Sequence, residues 1–320
     1  MRAIIVEAAG GADRLEYSET GDPRPGTGEL LVETAAVGLN FIETYQRSGA
    51  YAVDYPFTPG AEASGTVVEV GEGVIGFAVG DLVATAEGRG TYAERFIVAA
   101  EKAIRVPDGI EAEVAAALPL QGLTAHYLAT SAASPQDGDT VLVHAGAGGV
   151  GLLLTQLLAA RGVRVITTAS NSEKRELSFA AGASEALDYG MFSEKVRALT
   201  GGEGVAVVYD GVGLTTFDES LASLRVRGEL VLFGAASGPV PPFDLQRLAA
   251  GGSLSVTRPT IGSFLRTAEE RAWRYQELFD ALAAGTLDVR IGARFDLARA
   301  DEAHRALEGR GTAGKVVLVP

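Results

Sequence analysis

The residues of this sequence with the clearest chemical purpose are glycines. The run Val141-Leu142-Val143-His144-Ala145-Gly146-Ala147-Gly148-Gly149-Val150-Gly151 carries the G-x-G-x-x-G spacing at Gly146, Gly148 and Gly151. The spacing alone is a weak signal. Here it follows an apolar strand and opens a helix over 150–158, the context in which a tight turn lets backbone N–H groups reach a pyrophosphate at the positive end of a helix. A glycine-rich turn without a ligand is the plainer alternative. The choice of dinucleotide follows from the next strand. An acid about 20 residues past the glycines would accept from a ribose 2′-hydroxyl. This strand instead ends Val165-Ile166-Thr167-Thr168-Ala169-Ser170-Asn171, with no acid before Glu173, and Lys174 and Arg175 follow. Hydroxyls and a lysine welcome a 2′-phosphate that a carboxylate would repel, so the pattern favours NADPH. A solvated first-turn lysine is the ordinary alternative for Lys174.

Other chemistry is excluded by composition. There is no cysteine, so there are no disulfides, thiolate metal ligands or thiol nucleophiles. The three histidines, His126, His144 and His304, are far apart and lack zinc-type spacing. His144 is expected to end a strand, His126 to lie in a short helix and His304 to sit on a surface-like stretch, none of them catalytic. Lys plus Arg is 27 against 41 for Asp plus Glu, a net charge of −14. With no basic run longer than Arg225-Val226-Arg227, partnership with nucleic acid or anionic membranes is not expected. No apolar segment approaches the roughly 20 residues of a membrane span, and Met1-Arg2-Ala3-Ile4-Ile5-Val6-Glu7 is charged too early for a secretory segment. A cytoplasmic protein is the expectation.

A chain of 320 residues predicts two domains. The first hundred residues carry short β-type runs (2–6, 30–37, 63–70, 81–85 and 93–98) punctuated by glycine, which predicts a partly closed antiparallel barrel. From Thr140 the pattern alternates. Strands are expected at 140–144, 163–168, 205–209, 229–233 and 253–256, with helices at 149–161, 172–181, 193–199 and 216–224. That alternation predicts an α/β fold with a parallel sheet covered on both faces. A long helix over 266–284, a short one over 301–307 and a last strand over 315–319 follow. The last strand is expected to return to the N-terminal barrel and make that domain discontinuous.

Several segments, taken together and in order, resemble the quinone oxidoreductases, which are zinc-free members of the medium-chain dehydrogenase/reductase superfamily. They are Asn40-Phe41-Ile42-Glu43-Thr44-Tyr45-Gln46-Arg47-Ser48-Gly49-Ala50-Tyr51, Pro59-Gly60-Ala61-Glu62-Ala63-Ser64-Gly65, Gly122-Leu123-Thr124-Ala125, the glycine loop, Val208-Tyr209-Asp210-Gly211-Val212-Gly213 and Val256-Thr257-Arg258-Pro259. The resemblance spans essentially the whole chain. It implies a GroES-like β-barrel catalytic domain from 1–122 and 263–320, and a doubly wound Rossmann domain over 123–262. By the same resemblance Gly148, Gly149 and Val150 meet the cofactor's pyrophosphate, and Ser170, Lys174 and Tyr189 surround the 2′-phosphate. Thr124, Phe233 and Arg258 line the rest of its groove, while Asn40, Tyr45 and Tyr51 face nicotinamide and substrate. Zinc relatives place a cysteine and a Gly-His-Glu histidine where this chain has Leu39-Asn40 and Gly60-Ala61-Glu62. Without a metal, alcohol oxidation lacks its Lewis acid.

The implied activity is NADPH-dependent quinone reduction, in which the Asn40 amide and a Tyr45 or Tyr51 hydroxyl orient the nicotinamide or donate to the acceptor's oxygen. Plain packing is the alternative for the tyrosines. Two rivals stay open: reduction of an enoyl-thioester or other activated alkene, and a non-catalytic, crystallin-like NADPH-binding role. A homodimer joined at Rossmann sheet edges is a further expectation from the resemblance.

Overall fold

A computed structural model describes all residues from Met1 to Pro320. They form two units, Met1–Gln121 with Val289–Pro320, and Gly122–Asp288. The sequence placed the second crossing at 262/263. In the structure the crossing follows Asp288, because helix Ala268–Ala283 belongs to the second unit: its Arg274 and Glu277 both hydrogen-bond to His126.

In the first unit, strand Glu29–Leu39 is paired along both edges and buries most of its side chains. The sheet runs in the order Ile291–Asp296, Lys315–Val319, Glu29–Leu39, Ala63–Val70, Leu82–Thr85, Ile104–Arg105, with Arg95–Ala99 also on Glu29–Leu39. The last strand does return here, antiparallel, with Val316 opposite Leu39 and Val317 opposite Gly38. Its other neighbour, Ile291–Asp296, is parallel to it, so the sheet is not wholly antiparallel as the sequence predicts. Apolar side chains including Ile4, Val32, Tyr92, Phe96 and Leu318 form the core of this unit. Helix Phe41–Ser48 starts at Asn40, where the Glu43 carboxylate turns back to accept from the Asn40 backbone N–H at 2.8 Å. It stops at Gly49, whose φ of 81° suits a residue without a Cβ.

The second unit is a six-stranded sheet in which every neighbouring pair is parallel. Its order is Glu185–Leu187, Arg164–Thr168, Thr140–Val143, Val205–Asp210, Leu224–Leu232, Ser255–Thr257. Numbered within the unit this is 3-2-1-4-5-6, the doubly wound Rossmann order, whose reversal point lies between Thr140–Val143 and Val205–Asp210. Val205–Asp210 is buried at every residue, as a central strand covered on both faces must be. The short edge strand Glu185–Leu187 is not anticipated by the sequence pattern.

Candidate active site

The glycine loop stands at the reversal point, between Thr140–Val143 and helix Gly149–Ala159. Its three glycines are needed for different reasons. A Cβ on Gly146 would come within 2.6 Å of Thr167, and one on Gly151 would strike the Ala145 carbonyl. A Cβ on Gly148 would meet only the Ala145 carbonyl oxygen, at 3.2 Å. Packing therefore demands Gly146 and Gly151, whereas at Gly148 the missing side chain leaves an approach open. Gly148 caps the helix without any side-chain hydrogen bond, and Gly148, Gly149 and Val150 are part-exposed beside buried Gly146 and Gly151. Uncapped first-turn N–H groups at a positive helix end fit a diphosphate.

The loop is tied to its neighbours. Gly146 N–H donates to the Thr168 carbonyl at 2.9 Å, which brings the glycines against the end of strand Arg164–Thr168. Two residues on, Ser170 is exposed, and part-exposed Lys174 lies in the first turn of helix Ser172–Ala180, capped by Asn171. Tyr189 reaches the loop from further along: its hydroxyl accepts from Ala145 N–H at 3.2 Å and its ring stacks on His144. Phe233 packs against Gly211, where an added Cβ would lie 2.8 Å from its ring. Exposed Arg258 donates to the Leu232 carbonyl at 3.0 Å, and Thr124 is half-buried on helix Pro119–Tyr127.

Beneath the loop lies a buried polar chain that the sequence did not reveal. His144 Nδ1 meets the Thr168 hydroxyl at 2.8 Å and Nε2 the Ser220 hydroxyl at 2.9 Å. Ser220 donates to Asp210, which also accepts from Thr216 Oγ1 and from the backbone N–H groups of Val212 and Gly213. Burial holds His144 below the usual histidine range, so it is neutral between its two hydroxyls.

The first unit has its own buried cluster, built on Asn40. Its Nδ2 donates to Glu62 Oε2 at 2.8 Å and to the Gly38 carbonyl at 3.2 Å, and its Oδ1 accepts from Lys315 Nζ at 2.7 Å. Both amide hydrogens are therefore engaged within the unit, and the amide has none left for an acceptor's oxygen. Lys315 also forms an ion pair with Glu62 Oε2, and Glu62 Oε1 accepts from Leu120 N–H at 2.7 Å. Glu62 is 0% exposed and Lys315 1%. A side chain at Gly38 would collide with the Glu62 carboxylate, so the glycine in that strand makes room for it. Glu43 is also fully buried and its Oε1 has no partner. Burial pushes its carboxyl up to about 8 against the opposing pull of Lys315.

Tyr45 and Tyr51 form a tilted ring pair with centroids 5.3 Å apart, joined also by Tyr51 N–H donating to the Tyr45 carbonyl. Tyr51 is 46% exposed. Sequence reasoning put Asn40, Tyr45 and Tyr51 together but missed Glu43, Glu62 and Lys315 as a buried group. One signal was legible: Asn40 and Glu43 stand at the cap and third positions of a helix start.

His304 corrects an expectation. It is not on a surface but 0% exposed, held by Arg47 at 2.9 Å and the Tyr92 hydroxyl at 3.1 Å. Helix Ala300–Glu308 turns Ala300, Ala303 and His304 inward at helical spacing. Burial and the adjacent Arg47 push His304 down to about 3. His126 is likewise engaged at both ring nitrogens, by Glu277 and Arg274. With no cysteine and all six imidazole nitrogens hydrogen-bonded within the protein, the donor set does not fit zinc.

Comparison with known proteins places this geometry. The model of an alcohol dehydrogenase GroES-like domain matches residues 26–108, and that of a zinc-binding dehydrogenase matches residues 149–282. Quinone oxidoreductase of Pseudomonas aeruginosa is 45% identical, over 100% of this chain and 99% of its own. A 2-haloacrylate reductase of a Burkholderia species is 37% identical, over 99% and 98%. A mycobacterial protein solved in complex with NADPH is 53% identical over 100% of both chains and superposes with a TM-score of 0.98.

Proposed function

The chain belongs to the quinone oxidoreductase family of medium-chain dehydrogenases/reductases, and from that premise we propose that it reduces quinones with NADPH and without a metal. The overall change is quinone plus NADPH plus a proton giving hydroquinone and NADP⁺. The observation that carries this reading is the donor set. A chain whose donors do not fit zinc lacks the Lewis acid that activates an alcohol in zinc dehydrogenases, whereas a quinone accepts hydride without one.

When bound, NADPH supplies the hydride. Gly148, Gly149 and Val150 offer the diphosphate their backbone N–H groups and an unobstructed approach. Ser170, Lys174 and Tyr189 supply hydroxyls and a cation for the 2′-phosphate, and Thr124, Phe233 and Arg258 border the remaining cofactor. The Tyr51 hydroxyl, paired with Tyr45, orients the acceptor and donates to the oxygen on which charge develops. Asn40 holds the start of the helix that carries Tyr45 and leads to Tyr51.

A second reading rests on the 37% identity to a 2-haloacrylate reductase: the same hydride reaching an activated alkene. Following nicotinamide absorbance with 1,4-benzoquinone, a naphthoquinone, 2-chloroacrylate and crotonyl-CoA, each with NADPH and with NADH, separates the two. Fast turnover of quinones with NADPH supports the first reading. Turnover of the alkenes alone moves the function to alkene reduction, and equal use of NADH removes the role of Ser170 and Lys174.

No helix is long and apolar enough to cross a membrane. We further assign the protein to the cytoplasm and to homodimers. Strand Ser255–Thr257 has one edge unpaired, and nearby Val226 is 70% exposed, which supports sheet-edge pairing. Light scattering of the purified protein tests the dimer, and cell fractionation the compartment.

A further inference from the structure

We propose that Lys315 and Glu62 are positioning residues for the reduction, fixing through Asn40 the start of the helix that carries Tyr45 and leads to Tyr51. The inference rests on the assignment of that tyrosine pair to the acceptor.

Three elements far apart in sequence converge on one amide. Lys315 heads the last strand, and antiparallel pairing of Val316 with Leu39 sets it beside Asn40. Glu62 precedes strand Ala63–Val70 and lies against Gly38, whose lack of a side chain admits its carboxylate. Between them the Asn40 side chain is gripped at the oxygen by Lys315 and at the nitrogen by Glu62 and the Gly38 carbonyl. Its backbone N–H is held in turn by Glu43. An amide bonded on every side has one orientation, and Asn40 is the cap of helix Phe41–Ser48. Tyr45 sits on that helix, and the Tyr51 backbone is bonded to the Tyr45 carbonyl at 3.0 Å. The angle at which the pair is presented is thus set at the Asn40 end of the helix, by an ion pair brought there from two other segments of the chain.

Replacing a buried ion pair by neutral groups of similar volume is often harmless to stability, so such a variant separates positioning from folding. The test therefore removes both charges together, as Lys315→Met with Glu62→Gln, and separately removes the link alone, as Asn40→Ala. Both are combined with Tyr51→Phe. If the proposal holds, the double variant unfolds in one cooperative transition and binds NADPH, by fluorescence titration, within about twofold of the parent. Its kcat with 1,4-benzoquinone falls roughly tenfold to a hundredfold, the scale of a misplaced group, and Asn40→Ala falls alike. Adding Tyr51→Phe then lowers kcat no further, because the two changes act on one unit. In NMR hydrogen exchange the Asn40 side-chain amide, slow in the parent, becomes fast in the double variant.

A double variant with parental kcat and a freed Asn40 amide overturns the proposal. So do losses that multiply with those of Tyr51→Phe, which would mean independent routes. Parental kcat in Tyr51→Phe alone, with slow turnover in the double variant, instead removes the tyrosine assignment on which the route depends.

Discussion

In the first unit a buried carboxylate, Glu62, is answered by a cation, Lys315. In the second a buried carboxylate, Asp210, is answered by dipoles: two hydroxyls and two backbone N–H groups, with neutral His144 closing the chain. Both satisfy the rule that buried polar atoms need partners. They differ in what is left when one partner is lost. Removing Lys315 takes away the only opposite charge on Glu62 and leaves two neutral donors, Asn40 Nδ2 and Leu120 N–H, whereas removing one hydroxyl from Asp210 leaves three of its four donors in place. The first arrangement is brittle and directional, and it holds a single amide. The second is redundant, and it lies under a loop that must stay in place whether or not a cofactor is bound.

The sharpest way to break this contrast is Lys315→Met alone. It is expected to cost about 3–5 kcal/mol, the penalty of an uncompensated buried charge, read as the shift in urea midpoint. A cost below that of removing the Thr216 hydroxyl from Asp210 would refute the contrast. Next comes pH. Glu43 is raised by burial to about 8, above the 4.5 of an unperturbed glutamate, so its neutral form is the one the fold favours. Its contribution is fully present below about 4.5 and is lost as pH rises through about 8. Glu43→Gln should therefore gain stability over the parent progressively across that window and hold the gain above it. The gain is bounded by about 5 kcal/mol at 1.36 kcal/mol per pH unit between 4.5 and about 8. A difference independent of pH would refute a buried acid there. Lys315 and Glu62 are the charged groups that bear on it.

In the second unit, Thr216→Val removes a 2.7 Å bond to Asp210 Oδ2 and is expected to cost about 1.5–3 kcal/mol, the value of one hydrogen bond to a charged group. His144 gives this unit the opposite pH slope. Its lowered pKa means stability present above the 6.5 of a free histidine and lost as pH falls below it. The smallest effect is on the cofactor. Lys174→Ala should weaken NADPH by roughly tenfold, about 1.5 kcal/mol for a charge-assisted bond, with NADH unchanged. Equal weakening of both would place Lys174 at the diphosphate.

Much of the second unit was legible because its signals are repetitive. Apolar strands alternate with helices, and a glycine run marks the reversal point. The strand missed there, Glu185–Leu187, is three residues long and half-buried at every one, so it carries no apolar contrast. Strand Ile291–Asp296 was missed for a related reason, since none of its residues is fully buried. The site in the first unit was half legible. Tyr45, Tyr51 and Asn40 stand within twelve residues, but Lys315 and Glu62 are ionisable residues that composition assigns to the surface. Their burial comes from a strand register spanning most of the chain, which local pattern does not encode. His304 was misplaced because its neighbours Asp301, Glu302 and Arg305 are polar; the inward face of that helix, Ala300, Ala303 and His304, was readable only by helical spacing.

The return of the last strand has a consequence for the order of assembly. Lys315 lies 253 residues after Glu62 and 275 after Asn40. During synthesis the whole parallel-sheet unit is translated before the cation that completes the Glu62 cluster. The unit in the middle of the chain can close on its own sequence, while the one that begins first waits with a carboxylate unanswered. The cluster of Glu62, Asn40 and Lys315 can therefore close only after the residues of the glycine loop have been translated.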